Sequence, residues 1–333
     1  MRNAAEAAEL VLAKPALKLV KTQDMNREEW LAVRKNGIGS SDAAAAVGLN
    51  PYKSQLELWM EKTGRDQNLP QVDPNDETSP MYWGTLLEPI VAAHYTKRTG
   101  NRVRRINAVL QHPSEPWMRA NIDREVMGDA SVQILECKTA GLNGARLWKD
   151  GVPEYVQLQV MHQLAVTGKQ AADVAVLICG QELQVHRIER ADQTIANLVA
   201  LERVFWGYVQ SGLAPPADGS ESAERALKAL YPQDTGTTLD LTDDLEMSAA
   251  FSDLAAVRQV LSQHLGLEAK LKQRIQQRMG DASRALFEGG EISWKRARDS
   301  KGFDLGRLLL DRPELATSYA ITTPGSRRFL VHT

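Results

Sequence analysis

The chain has 333 residues, of which 43% are hydrophobic, and its formal net charge is -2, so it has enough apolar residues for one large core or two smaller ones. No stretch approaches the roughly 18 uninterrupted apolar residues of a membrane span or resembles a secretory segment, and we therefore expect a cytoplasmic protein without membrane contact. Cys137 and Cys179 lack metal-ligand spacing, which argues against a disulfide framework or zinc site, and the near-neutral charge gives no general sign of nucleic-acid binding.

The first half of the chain is dominated by helix signals. Residues 1–24 are rich in alanine and lysine and are predicted to form an arm or a short helix. Asn26 is the expected cap of the next helix, Ser40 or Ser41 the cap of a short alanine-rich one, and Ser54 the cap of a third. Longer helices are predicted over 81–99, 154–167 and 191–211.

Apolar residues with a period of two interrupt these helices. They predict strands around 103–110, 118–122 and 132–138, followed later by a hairpin over 172–188. The order of helices, three strands, helix, two strands and helix predicts an α/β fold in which helices flank a mixed sheet.

The C-terminal part has a different character. Residues 214–244 are predicted to be a linker with a short helix, and 245–280 a long amphipathic helix with a stripe close to a coiled-coil seam. Residues 281–333 are predicted to form a small α+β module with a hairpin, a helix over 304–311 and a closing strand over 327–332. The long helix is expected to contact another subunit or a partner, to cover the sheet, or to follow DNA with basic side chains such as Arg274, Arg278, Lys295, Arg296 and Arg298.

Three charged residues among apolar ones stand out in the strand region. Asp123 follows one predicted strand, and Glu136 and Lys138 lie two apart on another, so that they share a face. If the two strands pair, the carboxylates of Asp123 and Glu136 and the backbone carbonyl of Cys137 would suit a magnesium ion. The Lys138 ammonium would then orient or deprotonate an attacking water. A Glu-Lys pair on a solvated sheet face is the alternative, because that is a frequent arrangement.

Five sequence blocks in order strengthen the nuclease interpretation. They are "WLAVRKNGIGSSDAAAAVGLNPYKS", "WGTLLEPIVAAHYTKRTG", "MRANIDREV", "ILECKTAG" and "VPEYVQLQVMHQLAVTG". Together they resemble the phage-type exonucleases related to lambda exonuclease, the YqaJ viral recombinase group. The resemblance implies a PD-(D/E)xK nuclease core over 25–213.

The resemblance also implies roles for residues of this chain. It places Arg34, Ser41 and Asp42 near a DNA phosphate, and Glu88 near the metal site with Asp123 and Glu136. On the last block it favours Gln159 as a catalytic residue. Tyr155 and Gln157 are further candidates for DNA contact, although the tyrosine lies four residues before Gln159 instead of the usual three.

The activity that the resemblance implies is specific. It is a Mg²⁺-dependent exonuclease, with Mn²⁺ as a substitute, that degrades one strand of linear double-stranded DNA from its 5′ end and leaves a 3′ overhang for recombination. A homo-oligomer, commonly a trimeric ring, and a single-strand annealing recombinase as partner are expected with it. The alternatives are a structure-specific or nicking endonuclease on the same fold and a non-catalytic DNA-binding or assembly protein.

Overall fold

The computed structural model describes residues 16–23, 25–71, 73–323 and 325–332 of the chain. Its helices are α1 (Arg27–Lys35), α2 (Ala43–Ala46), α3 (Gln55–Thr63), α4 (Pro80–Thr99), α5 (Leu142–Ala145), α6 (Glu154–Thr167), α7 (Asp192–Ser211), α8 (Glu221–Leu230), α9 (Leu245–Met279), α10 (Leu305–Asp311) and α11 (Glu314–Ser318). Its strands are β1 (Leu17–Lys21), β2 (Ile38–Gly39), β3 (Arg102–Arg104), β4 (Ala108–Gln111), β5 (Met118–Ala120), β6 (Arg124–Met127), β7 (Ile134–Ala140), β8 (Ala171–Ile178), β9 (Glu182–Glu189), β10 (Arg284–Phe287) and β11 (Gly290–Ser293). In this described part, no helix is long and apolar enough to cross a membrane.

The central sheet has the strand order β3-β6-β7-β8-β9, in which β7 and β8 are parallel and the other neighbours antiparallel. Helix α4 contributes Val91 and Tyr95 to the core on one face, and α6 contributes Val156 and Leu164 to the core on the other. The predicted α/β fold, a mixed sheet flanked by helices, is therefore confirmed.

Strand β7 sets the direction of the charged side chains. Ile134 belongs to the core on the α6 side, and Leu135 to the core on the α4 side. Because side chains alternate along a strand, Glu136 and Lys138 lie on the same face as Ile134 and point towards α6.

A second sheet has the strand order β1-β4-β5-β2. The single strand predicted around 103–110 is wrong, because it is divided between β3 in the central sheet and β4 in the second one. Ala108, Val109 and Leu110 are all buried, whereas β3 exposes its two arginines, so the two halves have different surroundings. The described part of the predicted N-terminal arm is also a strand, β1, which pairs with β4. Residues 1–15 and 24 lie outside the described residues.

The strands on either side of Asp123 differ from the expected pair. Strand β5 pairs with β4 and β2, and it does not pair directly with β7. The neighbour of β7 is β6, with Arg124 opposite Leu135. No apolar alternation marks β6, because its sequence is REVM. Asp123 therefore occupies the crossover from the second sheet to the central one.

The helix caps are partly as predicted. The side chains of Asn26 and Ser54 accept the expected backbone hydrogen bonds at the starts of α1 and α3. Ser40 and Ser41 do not cap the alanine-rich helix, because they lie inside a 3₁₀ turn that precedes α2. In that turn the Asp42 carboxylate accepts the Gly39 N–H at 3.2 Å, as the acidic side chain of a capping box does.

The chain divides into two compact units between Pro232 and Gln233. Helix α8, within the residues predicted to be a linker, packs on α3 in the first unit. Its buried Ser222 hydroxyl accepts the Ser54 N–H at 2.8 Å and donates to Glu57 at 2.6 Å. Because of these bonds, the first unit extends beyond residue 213 and includes α8.

The second unit contains α9 to α11 and the β10-β11 hairpin, which turns at Glu288 and Gly289. The strand predicted over 327–332 is wrong, since these residues have no regular secondary structure. Their apolar side chains Phe329 and Leu330 are exposed, and β10 and β11 pair with each other.

The contact of Ser222 with α3 predicts a measurable contribution to stability. In Ser222→Ala the Ser54 N–H loses its acceptor inside the protein, and this should lower the free energy of unfolding by about 1–3 kcal/mol. Urea denaturation followed by circular dichroism measures the change, with the exposed Ser211→Ala as the control. An unchanged unfolding midpoint would show that α8 does not support this unit.

Candidate active site

The charged residues of β7 meet two glutamines of α6. Gln159 Nε2 donates to Glu136 Oε1 at 2.6 Å, and Lys138 Nζ donates to Gln159 Oε1 at 2.9 Å. Lys138 also forms an ion pair with Glu136 at 2.8 Å. One turn later on α6, Gln163 Nε2 donates to Glu136 Oε2 at 2.7 Å. Both oxygens of Glu136 therefore have donors, although the side chain is 4% exposed.

Asp123 reaches the same place from the crossover before β6. Its Oδ2 accepts the backbone N–H of Cys137 at 2.8 Å, which ties the crossover to the middle of β7. Burial and the neighbouring Glu136 carboxylate raise the pKa of Asp123 to about 8. Two carboxylates thus share a small volume that water solvates poorly, and one of them retains a proton near neutral pH unless a cation is added.

Lys138 remains positively charged in this environment. Burial alone would lower the pKa of its ammonium, but Glu136 and Asp123 raise the pKa above its ordinary value. The raised pKa favours a role in which Lys138 orients a water or stabilises negative charge, rather than one in which it removes a proton.

The donor set fits a magnesium ion. Magnesium in proteins is commonly held by one or two carboxylates together with waters and substrate phosphate oxygens. Asp123 and Glu136 supply two carboxylates. The N–H of Cys137 points to Asp123, and the carbonyl of the same residue leaves the strand on that side, past the last β6 partner of β7 at Leu135. Among the described residues no three His, Cys, Asp or Glu side chains lie at metal-binding spacing.

Glu88 is close to this cluster but is held by arginines. Its Oε1 accepts a hydrogen bond from Arg124 and a second from Arg105 at 3.2 Å. Arg124 also donates to the backbone carbonyl of Asp123 at 2.6 Å, so the glutamate and the crossover share one guanidinium. Glu88 therefore lies beside the predicted metal ligand Asp123 and is ion-paired with arginine.

Two cavities meet at the cluster. A cavity of about 550 Å³ is lined by Glu88, Arg105, Asn121 and Asp123 among others. A second cavity, of about 270 Å³, includes Arg34, Ser41, Asn121, Asp123 and Gln159 in its lining. Asn121 and Asp123 line both, so the crossover forms the boundary between them.

Arg34 is positioned in the smaller cavity by a buried ion pair. Its Nη2 bonds to Asp42 Oδ1 at 2.6 Å and to the Ser41 hydroxyl at 3.3 Å, and its guanidinium stacks on Trp30. Asp42 also pairs with Lys62 at 2.6 Å, and each of these two side chains is 3% exposed. Burial alone would raise the pKa of Asp42, but Lys62 and Arg34 hold the pKa well below its usual range. Asp42 therefore holds Arg34 in place and does not itself line the cavity.

The other candidates on α6 differ in position. Tyr155 is half-buried and packs edge-on against Tyr52, with 5.7 Å between the ring centroids. Gln157 turns away from the cluster and donates to the carbonyl of Val152 at 2.6 Å. His162 is fully buried and bonds to Glu202 at 2.7 Å, which agrees with a structural role.

Four further residues at the site do not stand out in the sequence. Gln163 has a weak signal, because it follows Gln159 by one helical turn on the face towards β7. Asn121, Arg124 and Lys62 have none, since their contacts arise only when distant elements come together.

Residues 29–170, which contain Arg34, Glu88, Asp123 and α6, match the YqaJ-like viral recombinase domain. The chain is 36% identical over 288 residues to the uncharacterized protein YqaJ of Bacillus subtilis (strain 168), covering 85% of this chain and 88% of that protein. This chain belongs to the YqaJ-like viral recombinase family. The family resemblance drawn from the five sequence blocks is confirmed.

Other similarities of this YqaJ-like protein are more distant. Protein D345L of African swine fever virus (strain Badajoz 1971 Vero-adapted) is 23% identical over 256 residues, covering 66% of this chain and 72% of that protein. The alkaline exonuclease LHK-Exo from Laribacter hongkongensis, a solved structure, is 23% identical with a TM-score of 0.46, and the match covers 56% of this chain and 94% of that one. A phage-related exonuclease from Haemophilus somnus 129PT is 9% identical with a TM-score of 0.35, covering 56% of this chain and 100% of that one.

The raised pKa of Asp123 predicts how stability depends on pH without added cation. From its ordinary value of 3.8 up to about 8, the folded state binds a proton that the unfolded state lacks. The stability contributed by that proton is present at low pH and is lost as the pH rises towards 8. Asp123→Asn keeps a neutral side chain and should raise the melting temperature at pH 8 by at least about 3 °C, with a smaller gain at pH 5.

Differential scanning fluorimetry in the presence of a chelator measures this difference, with the exposed Asp150→Asn as the matched control. A variant no more stable than the wild type at pH 8 would show that the two carboxylates do not repel each other as described.

Proposed function

We propose that this YqaJ-like protein is a magnesium-dependent deoxyribonuclease that degrades one strand of linear double-stranded DNA from its 5′ end. The observation that carries the proposal is the hydrogen-bonded cluster of Asp123, Glu136, Lys138 and Gln159 at the boundary of two cavities. The recombinase description of its family supports a role in DNA recombination.

Each residue of the cluster has a separate role in the proposed hydrolysis. Asp123, Glu136 and the carbonyl of Cys137 would hold Mg²⁺, or Mn²⁺ in its place. When bound, the cation makes a water more acidic and neutralises charge that builds on the phosphate. Lys138, charged and held by Glu136 and Gln159, orients the attacking water and donates to an oxygen of the scissile phosphate. Gln159 fixes the positions of both Glu136 and Lys138 through its amide.

The smaller cavity supports degradation from the 5′ end of the DNA strand. The Arg34 guanidinium and the Ser41 hydroxyl are suitable donors for a terminal 5′ phosphate, and the buried Asp42 fixes the arginine in advance. Asp123 also lines this cavity, so a phosphate bound there lies next to the proposed hydrolytic site. Removal of nucleotides from that end leaves a 3′ overhang, the substrate of a single-strand annealing recombinase. A homo-oligomer around the DNA, such as a trimeric ring, would keep the enzyme on its substrate.

Nuclease activity on DNA of defined topology tests the proposal. With Mg²⁺ the protein should degrade end-labelled linear duplex, spare closed circular duplex, and lose activity in chelator. Asp123→Ala and Lys138→Ala should lower the rate at least about a hundredfold, because each removes a group that acts on the reacting atoms. Gln159→Ala should cost about tenfold or more, whereas Gln157→Ala, on the same helix with its side chain turned away, should leave the rate unchanged.

The outcomes separate the competing functions. Cleavage of closed circles would indicate an endonuclease on this fold, and binding without hydrolysis in either Mg²⁺ or Mn²⁺ would indicate a non-catalytic DNA-binding protein. Full activity in Asp123→Ala or Lys138→Ala would exclude the proposed site.

The role of Arg34 is tested by the chemistry of the DNA end. Wild-type protein should degrade a 5′-phosphorylated end at least about tenfold faster than a 5′-hydroxyl end, since a charge-assisted pair with phosphate is worth about 1.5–3 kcal/mol. Arg34→Ala should remove this preference, and Arg27→Ala, on the same helix but outside both cavity linings, should retain it. Equal rates on the two ends in the wild type would contradict a terminal-phosphate site.

A further inference from the structure

Helix α9 carries an apolar stripe along its whole length. The stripe residues follow one another at intervals of three or four positions, with the charged Glu268 as an interruption: Met247, Phe251, Leu254, Val257, Leu261, Leu265, Leu271, Ile275 and Met279. Val257, Leu261, Leu265 and Leu271 are each at least 50% exposed. A helix of 35 residues with this pattern resembles one strand of a coiled coil, and an exposed apolar face of this extent marks an interaction surface.

Charge is distributed unevenly along the same helix. Around the N-terminal end, residues 240–253 contain five acidic side chains and no lysine or arginine: Asp240, Asp243, Asp244, Glu246 and Asp253. Towards the C-terminal end, residues 268–278 contain four basic side chains and one acidic one: Lys270, Lys272, Arg274, Arg278 and Glu268. Two such helices side by side in the same direction would place like charges together, and in opposite directions would place unlike charges together.

We propose that α9 pairs antiparallel with α9 of a second copy of this chain. The stripe is nearly symmetric about Gln263, so the two copies match in one register. In that register Leu261 lies opposite Leu265 and Phe251 opposite Ile275, and Leu254 and Leu271 come within one position of each other. Met247 lies level with Met279, which is already buried in its own chain.

The same register accounts for a charged pair at the stripe. Glu268, which interrupts the apolar residues, lies opposite Arg258 of the second copy. Arg258 forms no ion pair among the described residues of its own chain.

The C-terminal end of α9 offers a place for the opposite end of the second helix. A cavity of about 580 Å³ lies between α9 and the β10 strand, with an apolar lining that includes Leu271, Ile275 and Phe287. Arg274 and Arg278 also line it. In the antiparallel register Met247 and Phe251 of the second copy, with acidic residues around them, lie next to this cavity. A second copy therefore suits both its apolar and its basic lining.

DNA is a poorer occupant for the whole surface. The basic half of α9 would attract phosphates, but Glu246, Asp253 and the acidic residues before them would repel a duplex that followed the helix. An unlike chain would have to reproduce the same symmetric spacing of apolar and charged side chains, which α9 itself already has.

The mass of the full-length protein in solution tests the pairing, independently of nuclease activity. Sedimentation equilibrium over a range of concentrations should show self-association, and Leu261→Asp should raise its dissociation constant at least about tenfold. Gln263→Asp places the same charge on the opposite face of the helix and should leave the association unchanged. A monomeric wild type, or an oligomer whose mass is the same in Leu261→Asp, would overturn the proposal.

Charge reversal tests the direction of the two helices. Arg258→Glu and Glu268→Arg should each weaken association, because each places like charges opposite one another in the antiparallel pair. A mixture of the two variants, or both changes in one chain, should associate as tightly as the wild type. A parallel pair would bring each position opposite itself, so the mixture alone would gain over the wild type, and that result would overturn the antiparallel register.

Discussion

Two carboxylates, Asp123 and Glu136, share a partly buried place beside β7, the middle strand of the central sheet, and the surrounding elements stabilise that negative charge. Like charges in a medium of low polarity repel strongly, and two elements bring hydrogen-bond donors to these carboxylates. Strand β7 supplies the Cys137 N–H to Asp123 and the Lys138 ammonium to Glu136, and α6 supplies two amides to Glu136. Burial and the remaining repulsion raise the pKa of Asp123, and a bound divalent cation would offset that repulsion.

The two glutamines of α6 show why neutral donors suit this place. An arginine in their position would neutralise Glu136 permanently and compete with a cation, whereas an amide satisfies the carboxylate oxygens and leaves the charge in place. Gln159 also accepts a hydrogen bond from Lys138, so its side chain contacts both Glu136, the proposed metal ligand, and the positively charged Lys138. The charge of Glu88, in contrast, is neutralised by arginine, because Arg105 and Arg124 pair with its carboxylate.

Much of the fold is predictable where the signal is local. The periodic pattern fixes α6, the β8-β9 hairpin and α9, and capping chemistry fixes the start of α1. Strand β6 is missed because its pairing with β7 depends on a neighbour and not on its own apolar pattern. At the site, the face shared by Glu136 and Lys138 follows from strand geometry alone. The roles of Lys62 and Asn121 cannot be predicted in this way, because their positions depend on contacts between elements far apart in sequence.

The buried pair of Asp42 and Lys62 has a consequence for how sequences of this family change over time. Each side chain is 3% exposed, so loss of Asp42 alone leaves the buried Lys62 ammonium uncompensated, which costs about 3–5 kcal/mol, whereas loss of Lys62 alone leaves Asp42 paired with Arg34. Related chains should therefore lose Lys62 before or together with Asp42, and an intermediate that keeps Lys62 without Asp42 would be selected against. The retention of Arg34, the proposed phosphate-binding residue, thus depends on the buried pair behind it.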